Sequence, residues 1–248
     1  MLRAEYLKIK RGWVWMTVVL LPGLAVVTGT INYINNPDTL GKDWASFTSQ
    51  VTLFYGLVFY SAGVSLIVAS LWRMEHRGNN WNFLLSHSST IGSLLLTKIF
   101  VAFVLTAIMQ IFLVAATLFS GLFIVRVPEG SPINLVIVSL VAAIGSLPLI
   151  ALQTLLSALL KSFAAPVSLC VVGCVVGIAS VTSYTLRPLS YVLPQGLITR
   201  TMSLGSTALT DSAGLNLLDA AMLTLSSLII FGILYFVSPY IVYRVKIW

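Results

Sequence analysis

Six titratable side chains crowd into one short stretch of this sequence: Arg73, Glu75, His76, Arg77, His87 and Lys98, all between Trp72 and Lys98 in WRMEHRGNNWNFLLSHSSTIGSLLLTK. Within it Trp81, Leu84 and Leu85 have i, i+3, i+4 spacing, so a short helix would carry one apolar ridge. Arg73, Glu75, Arg77, Asn79 and Asn80 surround that ridge with groups suited to charged and amide contacts. Two tryptophans, Trp72 and Trp81, close the ends of the charged part, a composition that favours docking on a partner. The other reading is a solvated loop with Trp81 resting at a membrane interface.

Other chemistries fail on spacing. Serines are plentiful, but a nucleophile needs a base within hydrogen-bond reach, and both histidines, His76 and His87, lie in this one stretch. No HExxH zinc pair occurs, and no GxxxxGK[ST] loop cradles nucleotide phosphates. The chain is therefore expected to hydrolyse no ATP, to bind no metal or cofactor, and to be no enzyme. Cys170 and Cys174 stand four apart in an apolar run without a nearby His or acid, and read as small buried hydrophobes. Gly173 and Gly177 form a GxxxG that lets helix backbones approach; packing within the chain is the first reading and a dimer seam the second. Gln110 and Gln153 are read as interhelical hydrogen-bond formers.

The elements that position these groups follow from composition. Of 248 residues, 58% are hydrophobic and 8% charged, with a mean hydropathy of +0.99, against roughly 25% charged in a soluble domain. The surface is mostly lipid-facing, and the chain reads as an all-α integral membrane protein with six transmembrane helices. The net charge of +7 does not point to nucleic acid, because the Lys and Arg residues sit at the ends of apolar runs instead of on one face.

Residues 1–13 read as an amphipathic interfacial helix, with Leu2, Tyr6, Ile9 and Trp13 on one face and Arg3, Lys8, Lys10 and Arg11 on the other. Spans are expected at about 14–33, 47–71, 99–125, 133–160, 163–183 and 220–243. The first is long enough to cross ~30 Å of hydrocarbon, which argues against a cleaved leader. A helix from Ile91 to Val125 would outrun a bilayer, so its first turns should project, with Ser88, Ser89 or Thr90 as cap and Lys98 snorkelling to the boundary. Pro148 should interrupt span 4. The two-residue link Lys161–Ser162 should make spans 4 and 5 an antiparallel neighbouring pair.

Residues 184–219 are broken by Pro188, Pro194, Gly196, Gly205 and Gly214, and read either as two short re-entrant or surface-lying helices or as an amphiphilic loop. The spans hold no ionisable group apart from boundary residues, so ion coupling is not expected. Ten Lys and Arg against two Glu fall on the side of the termini, and four against five acids on the other. The termini are thus expected in the cytoplasm, with 72–98 the only sizeable loop beside them.

The order of these features resembles the ABC-2 type permeases, and in particular the small permease subunits of lantibiotic-immunity and bacitracin-type export systems. The likeness rests on E-x-L-K-x-K-R at Glu5, Leu7, Lys8, Lys10 and Arg11, and on an acid, a base and W-x-x-L-L-S running on to a lysine: Glu75, Arg77, Trp81, Leu84, Leu85, Ser86 and Lys98. His87 to Ser89 depart from it, since a proline often follows the serine.

The resemblance implies one transmembrane domain over 1–248 in a bacterial cell membrane, with both termini cytoplasmic. The loop 72–98 would hold a coupling helix seated in a cytoplasmic ATP-binding subunit, present in two copies, which carries the ATP and Mg. Arg73, Glu75, Arg77, Asn79, Trp81, Leu84 and Leu85 would make that contact. The N-terminal helix, with Glu5, Lys8, Lys10, Arg11 and Trp13, would brace the same subunit, and 184–219 would be extracellular re-entrant helices. A second permease subunit, identical or different, would complete the pathway, and an amphipathic peptide or antibiotic would be expelled from the membrane. The competing reading is a passive immunity or scaffold protein that binds its ligand without energy coupling.

Overall fold

A computed structural model describes residues 5, 12–73, 75–76, 90–206 and 216–246, residue 246 by its backbone alone. Six helices in it are long and apolar enough to cross a membrane: span 1, Val14–Asn35; span 2, Trp44–Arg73; span 3, Ile91–Val125; span 4, Ile133–Leu159; span 5, Ala164–Thr182; and span 6, Leu217–Val245. The described residues contain no strand, and the protein is an all-α integral membrane protein. The amphipathic helix expected over 1–13 and the short helix expected around Trp81 lie outside the described residues, apart from Glu5, Trp13 and the flanks of the loop.

Local chemistry sets the helix ends. Asp43 Oδ1 accepts from Ser46 N at 2.7 Å and starts span 2. Thr90 starts span 3 in the same way, accepting from Ser93 N at 3.2 Å. Span 4 is two helices, Ile133–Gly145 and Leu147–Leu159, joined at Ser146, with Pro148 in the first turn of the second half, where a missing N–H costs nothing. Spans 2 and 3 each contain a π turn, Tyr55–Phe59 and Ser120–Val125. The second ends at Arg126, whose φ of 55° turns the chain out of the helix.

Spans 1 and 2 cross closely at Gly29. A Cβ there would lie 2.6 Å from Val51 Cα and 2.7 Å from Val51 N, both backbone atoms that cannot swing aside. Gly29→Ala is therefore expected to cost about 1–3 kcal/mol by forcing the helices apart. Gly23, on the same helix, has nothing within 4 Å of the corresponding position. Gly23→Ala is expected to be neutral or to stabilise by up to about 1 kcal/mol. Thermal unfolding of the two variants in one detergent checks the contrast, and equal shifts would remove the crossing as its cause.

The expected pairing of spans 4 and 5 is corrected. They adjoin at the Lys161–Ser162 link, but span 4 packs chiefly on spans 6 and 3 and then on span 2, and span 5 on span 2 and on a short helix, Pro194–Met202. That short helix holds them apart. Thr201 packs against Gly145 of span 4, and Gln195 against Gly173 and Gly177 of span 5. Both glycines of the GxxxG thus face a side chain of their own chain.

Candidate functional site

Two clusters of charge, one at the basic end of the bundle and one within it, are the groups most able to do work. The first is centred on Lys98, in the second turn of span 3 and 0% exposed. Its Nζ donates to Glu75 Oε1 at 2.6 Å, to Glu5 Oε2 at 3.0 Å and to the Leu71 carbonyl at 2.7 Å. All three ammonium donors are engaged, and the Trp72 ring lies 5.3 Å away. The Leu71 carbonyl is one of the last in span 2, where a helix leaves its acceptors without intrahelical partners. Glu75 N and His76 N both return to the Trp72 carbonyl, a turn that aims the Glu75 carboxylate back at the bundle.

Three expectations change here. Lys98 does not snorkel: two carboxylates and a carbonyl replace the water it would have sought. Glu75 is 2% exposed and directed inward, so its carboxylate ties spans 2 and 3 together instead of pointing to a partner. Glu5 is 4% exposed and bound to span 3, not spread among headgroups. Arg73, in the last turn of span 2, lies outside the Lys98 cluster, exposed, its guanidinium 5.9 Å from the Phe163 ring. Trp13 precedes span 1 and is fully open to the surroundings, as aromatic residues are at a bilayer interface. Arg77, Asn79, Trp81, Leu84, Leu85, Lys8, Lys10 and Arg11 lie outside the described residues.

The second cluster is built on Pro194–Met202. Pro188 and Pro194 start two short pieces, a 3-10 turn at Arg187–Tyr191 and the helix itself. All nine residues of that helix are buried, the condition under which short helical backbone survives at membrane depth. Thr199 Oγ1 donates to the Gly56 carbonyl at 3.1 Å, twelve residues into span 2, or about 18 Å from its start. Gln110, mid-way along span 3, donates to Met202 Sδ at 3.8 Å. The short helix thus reaches the middle of the bundle and touches spans 2 to 6.

Arg200, 7% exposed, sits on that helix. Its Nη2 donates to Asp219 Oδ2 at 3.1 Å and to Oδ1 at 3.3 Å, and the guanidinium lies 4.5 Å from the Tyr191 ring. Tyr191 also donates its hydroxyl to Asp219. Burial first, and then that hydrogen bond, raise the Tyr191 pKa, so the phenol remains a donor at neutral pH. Asp219 occupies the first turn of span 6, where the helix dipole favours an anion. Asp219 is a boundary residue of span 6 and Arg200 lies on the short helix outside the spans, where their opposite charges neutralise one another, and hydropathy along the chain does not register the pairing.

Buried polar groups line the rest of the interior. Cys170 Sγ donates to the Ser61 carbonyl at 3.3 Å, and both cysteines are free and buried. Gln110 makes its bond, but neither side-chain atom of Gln153 has a partner among the described residues, contrary to the hydrogen bond expected of it. No cluster of metal-ligating side chains occurs among the described residues.

Residues 1–177 match the family model described as ABC-2 family transporter protein. The match takes in the N-terminal segment, the loop between spans 2 and 3 with both its flanks, and most of span 5. No curated protein and no solved structure matches the chain.

Proposed function

Since the chain belongs to the ABC-2 family of transporter proteins, and is thereby the membrane component of a transporter whose ATP is bound by another subunit, we propose that it exports an amphipathic peptide or antibiotic. The reading includes self-immunity or resistance as the outcome, a bacterial cell membrane as the location, and cytoplasmic termini set by the basic residues at that end. Two ATP-binding subunits and a second permease, identical or different, complete the assembly. ATP and Mg stay with those subunits, because this chain has no phosphate-cradling loop.

One observation supports the coupling step above the others. Lys98 joins the last turn of span 2, the first turns of span 3 and the N-terminal segment through Glu5. A force applied to the loop between Glu75 and Thr90 therefore reaches both spans and the N-terminal segment at once. In this reading Trp81, Leu84 and Leu85 seat the loop in the ATP-binding subunit, Arg73, Arg77 and Asn79 fix its orientation, and Glu75 holds its root. Lys8, Lys10, Arg11 and Trp13 keep the N-terminal segment at the membrane surface beside it.

Affinity purification of the tagged chain, with an ATPase assay on the eluate, tests this. Trp81→Ala is expected to lower the amount of ATP-binding subunit recovered by tenfold or more, about 1.4 kcal/mol or above, and to remove protection at an unchanged membrane level. Full recovery and full protection in that variant would sink the coupling role. Protection by a chain that brings down no ATPase would favour a passive immunity or scaffold protein.

A further inference from the structure

Where span 2 ends, span 4 ends and span 5 begins, a cavity of about 220 Å³ opens at the basic end. At the two-residue link between spans 4 and 5, Leu160 leaves the helix in an extended conformation (φ −93°, ψ 123°). The space is many times the ~10–15 Å³ that one water requires.

Its lining is cationic and donor-rich. Arg73 and Lys161 are exposed at the rim, and neither has an acidic partner within salt-bridge distance among the described residues. Ser157, 2% exposed, belongs to the wall, its hydroxyl sealed from the cavity and without a hydrogen-bond partner among the described residues. His76 Nε2–H donates to the Ser157 carbonyl at 2.6 Å and fixes that wall. Phe163 lies under the Arg73 guanidinium and holds it in place. Phe163 at the rim and Leu169, six residues further along, are exposed apolar side chains.

A guanidinium fork and an ammonium at one cavity together match a group with negative charge and several acceptor oxygens. Basic pockets between membrane helices recognise headgroups in this way. We propose that the cavity binds a phosphate group, carried by an anionic phospholipid or supplied as free phosphate. Arg73 and Lys161 balance its charge. The site does not depend on the cargo or the export direction, and it shares Arg73 with the proposed coupling contact.

The test is thermal unfolding of the purified full chain in three series: phosphatidylcholine, phosphatidylglycerol, and inorganic phosphate added to phosphatidylcholine. Phosphatidylglycerol is expected to raise the midpoint by roughly a few degrees over phosphatidylcholine. The Arg73→Gln, Lys161→Gln double variant is expected to need at least about tenfold more of it. Its own midpoint in phosphatidylcholine reports that it folds.

Protection by phosphatidylglycerol and not by inorganic phosphate identifies a lipid headgroup; equal protection by millimolar phosphate identifies the free anion. A midpoint insensitive to both anions, or protection undiminished in the double variant, overturns the proposal.

Discussion

Lys98→Met is expected to destabilise the protein by about 3–5 kcal/mol, because it leaves two buried carboxylates facing one another without the cation between them. The side chain is of similar length and apolar, so the loss is electrostatic, not a cavity. Glu5 and Glu75 are both nearly sealed from solvent, and the Leu71 carbonyl loses the donor that closed span 2. Thermal unfolding in detergent measures the loss. The decisive control is the triple variant Lys98→Met, Glu5→Gln, Glu75→Gln. Neutralising all three groups removes the excess buried negative charge, and most of the stability is expected to return. A single variant as stable as the parent would show that the cluster holds nothing together.

Asp219→Asn is expected to be the second most damaging change, at about 3 kcal/mol. It strands Arg200 in the bundle, although water at the partly exposed Asp219 side softens the loss. Arg200→Gln alone strands Asp219 and is expected to cost less, because that carboxylate is nearer the surface. The double variant Arg200→Gln, Asp219→Asn separates the pair from its parts. Its loss is expected to fall short of the sum of the two single losses by about 1–3 kcal/mol. Strict additivity would mean that the short helix is held by packing at Thr199, Thr201 and Gln195 alone.

Some of this architecture is legible in the sequence for a plain physical reason. A run of eighteen or more apolar residues has few alternatives to a membrane helix, so six spans emerge from hydropathy, and Thr90 and Pro148 mark a start and a break by their local chemistry alone. Pro188, Pro194 and Gly196 likewise divide the segment before span 6 into short pieces.

The charged clusters are hidden for an equally plain reason. Glu5 and Lys98 stand 93 residues apart, and a lysine near the end of an apolar run looks the same whether it reaches water or a carboxylate. Arg200 and Asp219 look like loop residues for as long as each is weighed alone. The burial of Pro194–Met202 is set by five other helices, chiefly through small residues, Gly56, Gly145, Gly173 and Gly177, whose value lies in what they leave out. Of the loop between spans 2 and 3, the structure describes the roots, where Glu75 turns inward and Arg73 outward.

The π turn at Tyr55–Phe59 sets the rotational phase of span 2. Tyr60 N reaches back five residues to the Tyr55 carbonyl, so the helix accommodates one residue more than an unbroken α-helix between the same two ends. Everything beyond it is offset by about 100° from where regular winding would carry it. The half before the turn follows Gly29 and the aromatic contacts of Trp44 and Phe47, while the half after it presents Leu71 to Lys98 and Arg73 to the cavity. A chain shortened by one residue at this point keeps every other side chain of span 2 and loses the angle between its two jobs.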